Sequence, residues 1–147
     1  MNTIGDSVDK CGHEEAATLD AINKLSKAFP YAAAMLAFVL IERELKRKLV
    51  RERGVKESDL HKFTLGRVEK ELRVSIGTYS SLRNELMHSN LYLVGQAGRT
   101  EKERHDRNLK NLKEAKRLLR KAFKDHACGY LINEKGDGSL VFEPKNF

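Results

Sequence analysis

Apolar residues return at helical intervals along most of the chain, and only the last stretch switches to the short apolar runs and turn residues of a hairpin. From about Asp6 to Ala28 an Ala-, Glu- and Lys-rich segment places Ala17, Ile22, Leu25 and Phe29 at helical spacing, which predicts a first helix. Pro30 suits the first position of a second helix, Tyr31 to Arg53. Phe38, Ile41, Leu45 and Leu49 form its stripe, and Gly54 is its stop. A third helix is expected between Ser58 and Val74, with Leu60, Phe63, Val68 and Leu72 facing inward and Gly77 as the break. The fourth starts at Thr78, whose hydroxyl is the expected cap, and runs through Tyr79, Leu82 and Leu86 toward Leu93. Gly95 to Arg99 reads as a loop. Thr100 with Glu103 has the spacing of a capping box and opens a fifth helix ending near Ala127, with Leu109, Leu112, Leu119 and Phe123 as its stripe and Gly129 as its stop. Tyr130-Leu131-Ile132 and Leu140-Val141-Phe142 then flank Gly136-Asp137-Gly138, a hairpin signal. The pattern predicts an all-α bundle of four to five helices over residues 1–128, with a small C-terminal β-hairpin and tail over 129–147.

Composition sharpens this picture in one respect. The chain has 147 residues, and its 28 Lys+Arg outnumber its 21 Asp+Glu to give a net charge of +7. Between Arg99 and His126 eleven Lys+Arg stand against five Asp+Glu, so that segment alone holds +6. The excess is local and points to an acidic partner such as RNA, DNA or an anionic surface. With 40% hydrophobic residues, no Trp and only two Pro, the chain is a folded one rather than a disordered one. The longest apolar run, Tyr31 to Ile41, is too short to cross a bilayer, so no membrane association is expected. Met1 to Asp9 lacks the basic start and apolar stretch of a secretory signal, and a cytoplasmic location is expected. Cys11 and Cys128 lie at opposite ends and read as free thiols. Cys11 with His13 has no second ligand pair at a suitable spacing, so neither a metal nor another cofactor is expected.

Candidate chemistry gathers in the fourth helix, where Ser81-Leu82-Arg83-Asn84-Glu85-Leu86-Met87-His88-Ser89 puts an Arg, an amide and a His within six residues. Arg is a permanently charged fork suited to phosphate, while His near neutral pH takes a proton from a hydroxyl or gives one to a leaving oxygen. Together they suffice for cutting RNA through attack by the ribose 2′-OH, without a metal. Asn84 and His88 share a helix face, whereas Arg83 and His88 are turned ~140° apart on an ideal helix, so the Arg must reach around or the helix must distort. One chain supplies one such His. Two copies facing across a two-fold axis would share acid and base roles, which makes a homodimer an expectation of the chemistry. Glu42 either pairs with Arg83 inside the bundle or stays solvated.

Arg83-Asn84-x-x-x-His88 resembles the signature of the HEPN domains (higher eukaryotes and prokaryotes nucleotide-binding): an Arg, a polar residue, and a His after four to six intervening residues. The long second helix with Ile41-Glu42-x-x-Leu45 and the helix order are also similar, and the resemblance covers about residues 10–127. It implies a HEPN-like bundle, usually dimeric, and a metal-independent endoribonuclease of toxin–antitoxin, phage-defence or CRISPR-linked systems, with Arg83 and His88 catalytic at the dimer cleft and Asn84 supporting them. Because many bacterial members pair with a minimal nucleotidyltransferase antitoxin, such a protein is an expected partner beside RNA, whether tRNA or mRNA. Other members have lost catalysis, and the alternative is a silent module that binds nucleotide, RNA or a partner protein through the same cleft. A DNA-binding regulator is the third reading, and the absence of a compact recognition helix counts against it. Lys113, Arg117 and Arg120 on the basic fifth helix are the expected RNA-backbone contacts, set against the plainer reading of a solvated amphipathic face.

Overall fold

Pro30 opens the central helix of the molecule. It lacks an N–H at a position where that group would have no partner, and Phe29, which is not helical, precedes it as the N-cap. The computed structural model describes residues 4–73, 77–91, 100–126 and 129–144, with side chains from His13 onward. Its elements are α1 (Ile4–Leu25), α2 (Pro30–Arg53), a 3₁₀ turn (Glu57–Lys62), α3 (Leu65–Leu72), α4 (Thr78–Leu91), α5 (Glu101–Ala122), β1 (Tyr130–Glu134) and β2 (Leu140–Pro144). This is the expected helical bundle with a two-stranded antiparallel hairpin. No helix among the described residues is long and apolar enough to cross a membrane.

The stripe Phe38, Ile41, Leu45 and Leu49 is buried, and Ala33, Ala34 and Ala37 join it, so α2 lets its neighbours approach closely. It packs most extensively on α5 and next on α1 and α3. Each fully buried Leu or Ile in this core contributes about 1.5–3 kcal/mol relative to leaving it in water. Gly54 ends α2 with φ +67, and its N–H donates to the Val50 carbonyl at 3.1 Å.

Several local expectations are corrected. On α1 the inward face is Glu15, Leu19 and Ile22 with Leu25 partly buried, whereas Ala17 is exposed and Phe29 is 62% exposed. The expected third helix is two pieces. Thr64 is extended and its hydroxyl accepts from the Arg67 N–H at 3.2 Å, so α3 starts afresh there and the 3₁₀ turn stays separate. Leu60 and Phe63 are then only partly buried against the core. Thr100 caps α5 as expected, its hydroxyl accepting from Glu103 N–H at 3.1 Å. However, α5 stops at Ala122, where Phe123 leaves helical geometry and the following turn folds His126 inward. Leu109 is 39% exposed because the inner positions there are Asn108 and Asn111. Val74, Leu93, the loop from Gly95 to Arg99, Ala127 and the C-terminal residues 145–147 lie outside the described residues.

The start of α4 is capped from a distance. Gly77 turns the chain with φ +84, and the two carboxylate oxygens of fully buried Glu69 accept from Tyr79 N–H at 3.1 Å and Ser80 N–H at 3.0 Å. This side chain, from α3, does the work expected of the Thr78 hydroxyl and places negative charge at the positive helix end. Burial, and then the Glu69 charge, raise the Tyr79 pKa. Glu69→Ala is expected to cost about 1–3 kcal/mol of stability, because a buried and a partly buried N–H group lose their acceptor. A urea midpoint unchanged from the parent would mean that α4 does not depend on this cap.

The hairpin pairs Ile132 with Phe142 in register and sends Ile132 and Leu140 into the same core. Two strands alone are marginal, so the contacts to helices matter. Asn23 of α1 clamps β2 from both sides of its amide, donating to the Leu140 carbonyl and accepting from the Leu140 N–H, each at 2.8 Å. Lys116 of α5 is buried, and its ammonium donates to the Gly138 carbonyl at 2.7 Å.

Candidate active site and basic groove

Residues Tyr79, Leu82, Leu86 and Ser89 face the core, which fixes how α4 is rotated. The opposite face is thereby turned outward: Asn84, Met87, His88 and Leu91 are all exposed, with His88 near the crest of the helix. The helix is continuous from Thr78 to Leu91, so no distortion brings Arg83 round to His88. Arg83 is half-buried on the flank toward α2, and its Nη1 lies 3.7 Å from Oε1 of Glu42. That carboxylate also stands 4.0 Å from the Lys46 ammonium. Within one chain the fold thus puts Asn84 and His88 on one face and Arg83 with Glu42 on the adjoining one. Val39, 49% exposed, sits one turn from Glu42, and Met87, 41% exposed, one turn from Arg83, so apolar side chains border the ion pair.

On the other flank, α4, α5 and β1 enclose a groove with a cavity volume of about 620 Å³, into which Leu82 and Glu85 project from α4. Lys113, Arg117 and Arg120 all line it, together with Arg107 and Lys110. Their states differ. Arg117 donates through Nε to both oxygens of Glu114 at 3.0 and 3.1 Å, and this bond holds the Glu114 carboxyl below the usual carboxylate range while raising the Arg117 pKa. Arg120 stands 3.3 Å from Glu134 of β1. Lys113 is exposed. Lys116 of the same basic run does not reach the groove, since it points to the hairpin, where burial lowers its pKa.

The most buried polar cluster was not legible from sequence, which offers no partner for His126. His126 Nδ1 lies 2.7 Å from Glu44 Oε2, and Arg47 Nη1 bridges Glu15 at 2.9 Å and Glu44 at 3.7 Å. Both carboxylates are fully buried. The available signal was Glu44 standing between Ile41 and Leu45 on the apolar stripe of α2. The cluster is remote in sequence and contacts from the motif helix, and it joins α1, α2, the turn after α5 and β2. Tyr79 is a core residue at 2% exposure and takes no part in the outward face of α4. Tyr92, Cys128 and the side chain of Cys11 lie outside the described residues. Among the described residues no three His, Cys, Asp or Glu side chains gather where they would hold a metal ion. Comparison of the chain with protein-family models, with curated proteins and with solved structures finds no match.

Proposed function

We propose that this chain is a metal-independent endoribonuclease of the HEPN type, a toxin or phage-defence effector in the cytoplasm, active as a homodimer. The observation that carries this reading is the outward crest of α4. It presents the motif's Asn84 and His88 between exposed Met87 and Leu91 on one side and a basic groove on the other. Large apolar side chains left in water beside a polar motif are what a protein interface covers. A two-fold pairing over this face would bring two His88 side chains together, and Arg83 of either copy would reach the shared cleft from its flank.

In that cleft one His88 imidazole accepts the proton of a ribose 2′-OH. The oxygen attacks the adjacent phosphorus, and the bond to the 5′ oxygen breaks as the second imidazole protonates it. Arg83 neutralises the charge that grows on the non-bridging oxygens, and Asn84 holds the imidazole or the phosphate. The products are a 2′,3′-cyclic phosphate and a 5′-OH.

The Arg83–Glu42 pair favours the second reading, a silent module that binds nucleotide, RNA or a partner through the same face. In that form the carboxylate occupies the fork that a phosphate would take. A half-exposed pair of this length is worth about 0–1 kcal/mol, so a phosphate competes with it readily. The deciding experiment incubates the purified chain with total RNA and tRNA in EDTA and analyses product ends, alongside its mass in solution. Cyclic-phosphate ends from a dimer are expected. A folded dimer that binds RNA without cutting it would establish the silent module instead, and a strict monomer would remove the shared-cleft mechanism.

A further inference from the structure

The five cations of the groove are not equivalent. Arg117 and Arg120 are each held by a carboxylate, Glu114 one turn earlier on α5 and Glu134 on the hairpin. Arg107, Lys110 and Lys113 are exposed, and among the described residues they form no ion pair. In a pair with a carboxylate the cation's charge is offset by its neighbour's, so the pair adds little net field toward a phosphate, whereas an unpaired cation attracts it outright.

Position along the helix separates the two groups again. α4 and α5 run antiparallel, pinned at one end by Asn90 and Asn108, whose amides each donate to the other's oxygen at 2.9 Å. Toward the opposite end the Arg117 charge acts on the Tyr79 hydroxyl. His88, two residues before Asn90, therefore lies level with Arg107 and Lys110, while Arg117 and Arg120 stand toward the start of α4 and the hairpin. The unpaired cations thus stand toward the end of the groove that is level with His88.

We infer that the RNA track of this protein is the stretch of α5 from Arg107 to Lys113. Arg107, Lys110 and Lys113 take successive phosphodiester groups of a strand that passes His88, and Arg117 and Arg120 instead fasten α5 internally and to β1. The three cations span ~9 Å of helix axis. The inference rests on the endoribonuclease reading for RNA as the ligand. It departs from the expectation that Arg117 and Arg120 bind the backbone.

The test measures binding of a fluorescent, fully 2′-O-methylated RNA oligomer, which lacks the attacking hydroxyl, to the full-length chain over a range of salt concentrations. Replacing Arg107, Lys110 and Lys113 together by Gln is expected to flatten the slope of log affinity against log salt by about 2, since each phosphate contact on a single strand contributes about 0.7. Replacing Arg117 and Arg120 by Gln is expected to change the slope by less than about 0.7, with thermal melts confirming that both variants are folded. If the Arg117/Arg120 variant loses the slope and the triple variant keeps it, the assignment is wrong. Cleavage by the parent protein would in that case leave the nuclease reading standing. A parent protein that neither binds this oligomer nor cuts unmodified RNA would overturn the nuclease reading and the track with it.

Discussion

His88→Ala is expected to reduce RNA cleavage by about 10²–10⁴-fold, the usual worth of a positioned acid–base group. Arg83→Ala is expected to cost about 10²–10³-fold, through lost stabilisation of the charge developing on the phosphate. Arg83→Lys will recover only part of this, because a point charge does not reproduce the two-pronged hydrogen bonding of the guanidinium. Both variants should remain folded. His88 is exposed and Arg83 contributes a half-exposed ion pair, so unfolding free energy is expected to move by no more than about 1 kcal/mol in either case. If the two residues act on the same transition state, the double variant will be little worse than the poorer single one. Glu42→Gln serves as the control, since it removes the carboxylate that competes for Arg83 while leaving the fork in place, and it should retain cleavage. A folded, dimeric His88→Ala protein that keeps more than a tenth of the parent rate would exclude His88 as the acid–base group.

What the sequence made legible was whatever is decided locally. The stripe of α2 and the caps at Gly54 and Thr100 follow from periodicity and from the chemistry of single residues, and all stand in the structure. The hairpin around Gly136-Asp137-Gly138 belongs to the same class. Two of the misses have a different cause, namely a partner outside the local stretch. Thr78 looked sufficient to start α4, yet the acceptor is Glu69. Leu109 looked like a core residue, yet the inner position beside it is Asn108, tied to Asn90. The same division runs through the candidate site. The concentration of cations on α5 was visible, as was the angle between Arg83 and His88. Glu114 lies close enough to Arg117 to be read as its partner, and the pairing of Glu42 with Arg83 is one of the two readings the sequence leaves open, but nothing local indicates that the hairpin delivers Glu134 to Arg120.

The strongest such long-range dependence sits at Glu44, and Glu44→Ala is expected to cost about 3–5 kcal/mol, the penalty for breaking a buried polar pair by removing one partner. Glu44 is fully buried, and the change takes the acceptor from the His126 ring nitrogen and, from Arg47, the farther of its two carboxylates, at 3.7 Å against 2.9 Å for Glu15. It also opens a void beside the His126 ring, which lies tilted to Phe123 at a centroid distance of 4.9 Å and edge-on to Phe142 at 5.6 Å. Because a domain of this size holds only about 5–15 kcal/mol in all, the expected fall in melting temperature is on the order of 10 °C. Glu44→Gln should lose much less, since the amide oxygen still accepts from the imidazole and the volume is preserved. Replacing both partners tests the account more sharply. If the cost of Glu44→Ala is the stranding of polar groups, then Glu44→Leu combined with His126→Phe, apolar and near in shape, will be more stable than Glu44→Leu alone by about 1–3 kcal/mol. Losses that simply add in the double variant would show that packing volume, and not the hydrogen-bonded pair, holds the end of α5 and the hairpin against α2.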